Sequence, residues 1–190
     1  MTPRLWVFAG PNGAGKSTVV EQYVGHRLPI INPDNIARNL PSDLSAAARI
    51  GQAGRAAVRE RANLLAERQS FGIETTLTGR SELDLMHAAT RAGYHVNLVF
   101  IGLRDVQHSI ARVGERVRMG GHDVPLADIL RRFDRSVNNL GKAAKIANHR
   151  VIVLDNSGTR RRLIFTRKGQ RIRYQSPDMP FWAAALQRDI

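Results

Sequence analysis

No cysteine occurs in the 190 residues, which excludes disulfide staples, thiol catalysis, iron–sulfur clusters and cysteine-ligated zinc. That absence fits a reducing compartment. No apolar run approaches the roughly 20 residues that a membrane-crossing helix requires, and the first residues lead into a strand-like run without the profile of a secretory signal. A soluble, cytoplasmic protein with no membrane partner is therefore expected. Internal repeats, low-complexity tracts and a Gly/Ser/Pro linker are also missing, so a single domain over residues 1–190 is expected. Acidic residues are scarce: 16 Asp and Glu stand against 29 Lys and Arg, a formal net charge of +13. Such a field attracts anions, whether nucleotides, nucleic acid or anionic headgroups, and charge alone does not choose among them. What is present is ordinary for a globular chain: 43% hydrophobic residues, 24% charged, 16 Gly and 8 Pro exclude collagen, coiled coil and disorder.

Short apolar runs alternate with segments of helical period, the signature of an α/β fold with a mainly parallel sheet. Strands are predicted at residues 5–9, 29–32, 70–76, 96–103 and 150–154. The first is apolar throughout, as a strand covered on both faces should be. Helices are predicted at 16–24, at 44–69 with Ser42 as its cap, at 82–92, at 105–118 and from 126 to about 146. The apolar face of the long helix is read as Ala47, Ile50, Gly54, Ala57, Val58, Leu64 and Leu65. Residues 163–166 and 171–174 flank Arg167-Lys168-Gly169-Gln170 and suggest a basic hairpin within 160–175. Residues 180–186 suggest a final short helix. The expected architecture is a three-layer α/β/α P-loop NTPase with a five-stranded, mainly parallel sheet and a C-terminal β-hairpin.

The most specific signal is Gly10-Pro11-Asn12-Gly13-Ala14-Gly15-Lys16-Ser17, which satisfies G-x-x-x-x-G-K-[ST] between an apolar strand and a helix, with Thr18 following. Such a loop wraps backbone N–H groups around phosphate oxygens, so glycine is needed where a side chain would collide or φ is positive. The start of the following helix adds its positive dipole end. Lys16 would neutralise the outer phosphates of ATP, and Ser17 would offer its hydroxyl to Mg²⁺.

In an open parallel sheet, ligands sit beyond the carboxyl ends of the strands, and each predicted strand end carries polar residues. Asp34, in Asn32-Pro33-Asp34-Asn35, is placed to take a proton from an attacking hydroxyl or to cap a helix. Glu74, Thr75 and Thr76 end the third strand, suited to a polyhydroxylated acceptor or present simply as β-formers. Residues 112–140 carry Arg112, Arg116, Arg118, Arg131, Arg132 and Arg135 on two helical segments joined by Gly120-Gly121-His122-Asp123-Val124-Pro125. They read either as a mobile flap whose guanidinium groups reach a transferring phosphoryl group or as a solvated face paired with nearby acids. His122 is a candidate phosphate-orienting residue, and Asp105 either assists a metal or caps its helix. The basic hairpin leaves nucleic acid open as a partner, but few aromatics interleave with its cations beyond Tyr174, a weak stacking platform.

Taken in order, the phosphate loop, Asn32-Pro33-Asp34, Glu74-Thr75-Thr76-Leu77 and Arg116-Val117-Arg118-Met119-Gly120-Gly121-His122-Asp123-Val124-Pro125 resemble the zeta-toxin family of P-loop kinases, particularly its small members described as predicted ATPases. The resemblance covers residues 5–155. It implies an ATP- and Mg²⁺-dependent phosphotransferase acting on a hydroxyl of UDP-N-acetylglucosamine, and a small antitoxin as partner. It further implies Asp34 as catalytic base and Lys16 and Ser17 as holders of ATP and Mg²⁺. Glu74 and Thr76 would bind the sugar nucleotide, and Arg116 or Arg118 with Arg131 would act at the transferring phosphoryl group. Another acceptor on the same scaffold (a nucleoside, an antibiotic or a nucleic-acid end) and a non-catalytic, ATP-gated nucleic-acid-binding module are the alternatives.

Overall fold

The uncharged run from Leu5 to Ala9 forms most of β1 (Arg4–Ala9), which takes an interior place in a seven-stranded sheet. The computed structural model describes residues 1–24, 27–121, 123–184 and 186. The other strands are β2 (Ile30–Ile31), β3 (Phe71–Thr75), β4 (His95–Gly102), β5 (Arg150–Asp155), β6 (Arg162–Lys168) and β7 (Arg171–Gln175), in the spatial order β2-β3-β1-β4-β5-β6-β7. The first five run parallel. β6 and β7 then return antiparallel, so the expected hairpin is joined edge-on to the expected five strands. Helices α1 (Lys16–Tyr23), α2 (Pro33–Arg38), α3 (Ala46–Ala66), α4 (Ser81–Arg91), α5 (Val106–Arg118) and α6 (Leu126–Ile146) fill the connections. This is a P-loop NTPase-like α/β fold with a mostly parallel sheet and C-terminal antiparallel strands. Among the described residues, no helix is long and apolar enough to cross a membrane.

Strand alternation divides the core. Leu5, Val7, Ala9, Val96, Leu98, Phe100, Val151 and Val153 share one face and are fully buried, in a cluster with Met86 and Ala89 of α4 and Leu140, Ala143 and Ala144 of α6. On the opposite face Phe8, Val99 and Ile101 pack against Val19 and Val20 of α1. Cover on that side is partial. An eight-residue helix is about 12 Å long, whereas an eight-residue strand such as β4 extends about 26 Å. Away from α1 the burial lapses: Trp6, His95 and Ile152 are half-buried, and Arg4 and Arg150 are exposed.

Several local expectations need correction. The long helix begins at Ala46, and its cap is Ser45, not Ser42: the Ser45 hydroxyl accepts the Ala48 N–H at 3.2 Å. Its buried stripe is Ala53, Ala57 and Arg61. Ile50 and Val58, expected in the apolar face, are 64% and 58% exposed, because the i, i+4, i+8 row that meets the sheet is the neighbouring one. The second strand shrinks to two residues because the Asn32 side chain turns to accept the Asp34 N–H at 2.9 Å, capping α2 with Pro33 at its first position. The cap is thus Asn32 and not Asp34. The final helix opens with a 3₁₀ turn, Phe181–Ala183, and Leu186 is again helical; residue 185 and those after 186 lie outside the described residues.

That turn holds the tail to the core. Trp182 is 4% exposed, tilts against Phe100 at 5.8 Å between ring centroids, and fills the space that a side chain on Gly102 would otherwise take. Trp182→Ala is expected to destabilise the chain by about 3 kcal/mol or more, the usual range for emptying an aromatic site. Urea unfolding checks this, and a change below 1 kcal/mol would show the tail to be an appendage.

Candidate functional site

Beyond the C-terminal end of β1 the chain loops through Gly10-Pro11-Asn12-Gly13-Ala14-Gly15 into α1. Gly15 lies in the left-handed region at φ 86° and is the residue before the helix, with no side chain capping the first turn. The leading N–H groups of α1 are thereby left for an anion. Other elements fix the loop from outside. Ser109 of α5, fully buried, donates to the Asn12 carbonyl at 2.5 Å, and Asn156, just after β5, donates to the Ala14 carbonyl at 2.9 Å. Neither residue carries a motif in the sequence; their places became legible only when β4 and β5 put α5 and the 156 loop beside β1.

Lys16 lies along the loop with its Nζ donating to the carbonyls of Gly10 (2.9 Å) and Pro11 (3.0 Å). Ser17 donates to Glu74 Oε1 at 2.8 Å, and Asn32 Nδ2 donates to Glu74 Oε2 at 3.0 Å. The parallel pairing of Phe8 with Glu74 sets the carboxylate beside the start of α1. Glu74, assigned to the acceptor by resemblance, is therefore bonded to the hydroxyl expected to meet Mg²⁺. The loop after β3 is tightly constrained. Leu77 is fully buried at φ 56°, a conformation costing about 1–2 kcal/mol for a residue with a Cβ. Thr75 Oγ1 accepts its N–H at 3.0 Å and Asn139 Nδ2 donates to its carbonyl at 3.0 Å. Thr76 and Thr78 share a hydrogen bond at 3.2 Å.

Asp34 is exposed in the first turn of α2 and lines a cavity of about 190 Å³ with Ala37 and Arg38 of α2 and Ala46, Arg49 and Ile50 of α3. The Ile50 side chain withheld from the core is spent on this cavity. Of the arginines, Arg116 and Arg132 lie within electrostatic reach of Lys16, as do Glu74 and Asp34. Arg118 is exposed, and Arg131 is paired with Asp128 at 2.7 Å. Arg132 reaches the same Asp128 at 3.1 Å. α5 ends at the double glycine: Gly120 N–H donates to Val117 and Gly121 N–H to Arg116, both at 2.9 Å, a paired C-terminal cap that fixes the turn beside Arg116. The far half of α6 belongs to the main core. Asp105 caps α5, accepting from His108 N–H at 3.0 Å and His108 Nδ1 at 2.8 Å, and these bonds hold its carboxyl below the usual range. His122 lies outside the described residues.

The arrangement fits a triphosphate with a hard cation. The uncapped helix start and Lys16 supply donors, and Ser17 with Glu74 supplies oxygen ligands of the kind Mg²⁺ takes. Among the described residues no cluster of three or more His, Asp or Glu could hold a metal alone.

Burial lowers the proton affinity of Lys16 below its ordinary 10.5; Glu74 and Asp34 oppose that shift, and Arg116 and Arg132 add to it. Between the lowered value and 10.5 the unfolded chain binds more protons, so Lys16 makes stability rise with pH through that window; below it the buried charge is a standing cost. Lys16→Met is expected to stabilise the nucleotide-free protein at pH 7 by about 1 kcal/mol and to remove that alkaline gain. Urea titrations at several pH values check this, and a less stable variant would overturn it.

Residues 5–140 match the family described as the AAA domain. An uncharacterized protein of Haemophilus influenzae (strain ATCC 51907 / DSM 11121 / KW20 / Rd) is 32% identical over 126 residues, covering 63% of this chain and 89% of that protein. Among solved structures, a chain of AvrRxo1-ORF1:-ORF2 with ATP superposes with a TM-score of 0.75 at 15% identity, over 99% of this chain and 63% of that one. This chain thus spans less than two thirds of its length. A chain of the PezAT toxin–antitoxin system of Streptococcus pneumoniae gives a TM-score of 0.64 at 18% identity, over 100% of this chain and 78% of that one. At these identities the likeness is one of fold, and it includes the C-terminal hairpin.

Proposed function

The chain belongs to the AAA-domain family, and from that premise we propose that it is an ATP-dependent kinase transferring the γ-phosphoryl group to a hydroxyl of a small molecule. The observation that carries this reading is the Ser17–Glu74 hydrogen bond at the mouth of the Lys16 loop. A hydroxyl and a carboxylate converge there, beside an anion cradle and near the cavity that Asp34 lines with Arg38 and Arg49. A glycine-rich turn without a nucleotide role would have no use for them.

In this reading the first N–H groups of α1 and the Lys16 ammonium hold the phosphates in line. Ser17 and Glu74 would hold Mg²⁺, which when bound would supply positive charge against the negative charge that builds in the transition state. Asp34 accepts the proton of the acceptor hydroxyl, whose oxygen forms a bond to the γ-phosphorus as the bond to the β-phosphate oxygen breaks and ADP departs. Arg116 and Arg132 share the electrostatic surroundings of Lys16 and are the cations proposed to meet that charge, in preference to Arg118 and Arg131, which do not act on Lys16. Arg38 and Arg49 line the Asp34 cavity, which favours an acceptor carrying its own anionic group. A sugar nucleotide such as UDP-N-acetylglucosamine fits that requirement, and Thr75 and Thr76 lie on the loop next to Glu74. An antitoxin-like protein partner belongs to the same proposal, supported by the likeness to PezAT.

Asp34→Asn is expected to lower phosphoryl transfer at least 100-fold, the scale of a lost general base, while ATP affinity stays within about twofold of wild type. Lys16→Ala should weaken both together. A screen with labelled ATP against UDP-sugars, nucleosides and oligonucleotides identifies the acceptor, and full turnover by Asp34→Asn would refute the assignment. Arg132→Ala should reduce kcat at least tenfold and Arg118→Ala by less than twofold; the reverse order would return the role to Arg118. Arg49→Ala should raise KM for an anionic acceptor with little change in kcat.

A further inference from the structure

The sheet face that α1 leaves uncovered has a composition the kinase reading does not use. Pairing across the strands places Arg4 opposite His95, Arg150 opposite Asn97 and Lys168, and Lys168 opposite Arg171. Directly paired residues point to the same side of a sheet, so these cations form one row along the rim opposite the phosphate loop. Four strand spacings separate β1 from β7, about 19 Å. Arg4, Arg150, Lys168 and Arg171 are all exposed.

Aromatic rings stand among them on the same side. Trp6 follows Arg4 by two residues and is half-buried against Phe8. His95 and His149 stack at 4.3 Å with 10° between their planes, and His149 Nδ1 is held by Asn97 Oδ1 at 2.8 Å. Tyr174 pairs with Thr166, which pairs with Ile152, and is 42% exposed on the edge strand. None of the described strand residues paired along this part of the face is acidic. The local field is strongly positive: burial first, then His95, Arg150, Lys168 and Arg4, lower the proton affinity of His149.

We propose that this open face is a docking surface for single-stranded nucleic acid, with the cationic row on the phosphates and Trp6, Tyr174 and the histidine stack against bases. An acidic protein would satisfy the charges but has no use for flat rings at intervals along them; a duplex satisfies the charges and hides its base faces. Single strands use both, because every base offers a π-face and every linkage a charge. The surface lies at the opposite rim from Lys16, so bound strand and phosphoryl acceptor occupy different places and the proposal stands independently of the kinase reading.

The test is fluorescence anisotropy of the full chain with labelled oligo-U and oligo-dT of about 12 nucleotides, across about 50 to 200 mM salt. Binding should weaken with salt at a log–log slope near −2 to −3, roughly 0.7 for each phosphate neutralised. The double substitution Arg150→Glu, Lys168→Glu should weaken it at least tenfold and flatten the slope by about 1 to 2. Tyr174→Ala, at an exposed position on the edge strand, should weaken binding at least fivefold and leave the slope unchanged. The pair Arg55→Glu, Arg59→Glu, equal in charge change but on exposed positions of α3, should matter less than threefold, and Lys16→Ala should not matter. Equal losses from the two double variants, tighter binding to a duplex or to polyglutamate than to the single strands, or indifference to Tyr174 would each overturn the proposal. A preference between oligo-U and oligo-dT would tell whether RNA or DNA is the source.

Discussion

Where β1 ends, the backbone passes so close to β4 that a Cβ on Gly10 would lie 2.1 Å from the carbonyl oxygen of Ile101. Only glycine permits that approach, and everything at the phosphate loop is built outward from it. With the strand pinned against its neighbour, the chain turns directly into the loop. The loop then meets Ser109 on one side and Asn156 on the other, and α1 starts with its N–H groups uncapped and aimed at the same spot. The cradle is therefore a property of the sheet as much as of its own eight residues: two hydrogen bonds from distant parts of the sequence hold it open.

The same parallel register gives the two rims of the sheet different chemistry. At the carboxyl rim, strand ends deliver Glu74 to Ser17 and turn Asn32 inward, so negative groups offset Lys16 and provide oxygen ligands. At the amino rim, strand starts deliver Arg4, His95 and Arg150 with no acid among them, and the antiparallel hairpin extends the row through Lys168 and Arg171. A short α1 leaves that second rim bare. The excess positive charge is consequently organised, part of it enclosed around a phosphate site and part of it displayed across an open face.

Function here is held in arrangements that cost stability. Lys16 is a charge kept 9% exposed on two carbonyls, and Leu77 is a buried leucine in the left-handed region two residues beyond β3, the strand that carries Glu74. Both are compensated by the large apolar face of the sheet, closed at its end by Trp182 against Phe100. A core that extends to the C-terminal tail offsets the strain stored at the polar carboxyl ends of the strands.

From the sequence alone, the alternation of apolar runs with helical periods determined the α/β fold, and the phosphate loop was legible because its glycines and lysine are contiguous and answer to one local geometry. The hairpin was visible for the same reason. Contiguous signals carry their own context; distributed ones do not. That Asn32 rather than Asp34 caps α2, that Ile50 faces a cavity, that Glu74 meets Ser17, and that Arg132 rather than Arg131 shares the surroundings of Lys16 depended on strand register, local capping and which helix face meets the sheet, choices of a residue or two that periodicity leaves open. The open cationic face illustrates this furthest. Tyr174 carried little weight in the sequence, and only strand register, which includes pairs more than 50 positions apart, brought Trp6, His95 and His149 to its side of the sheet.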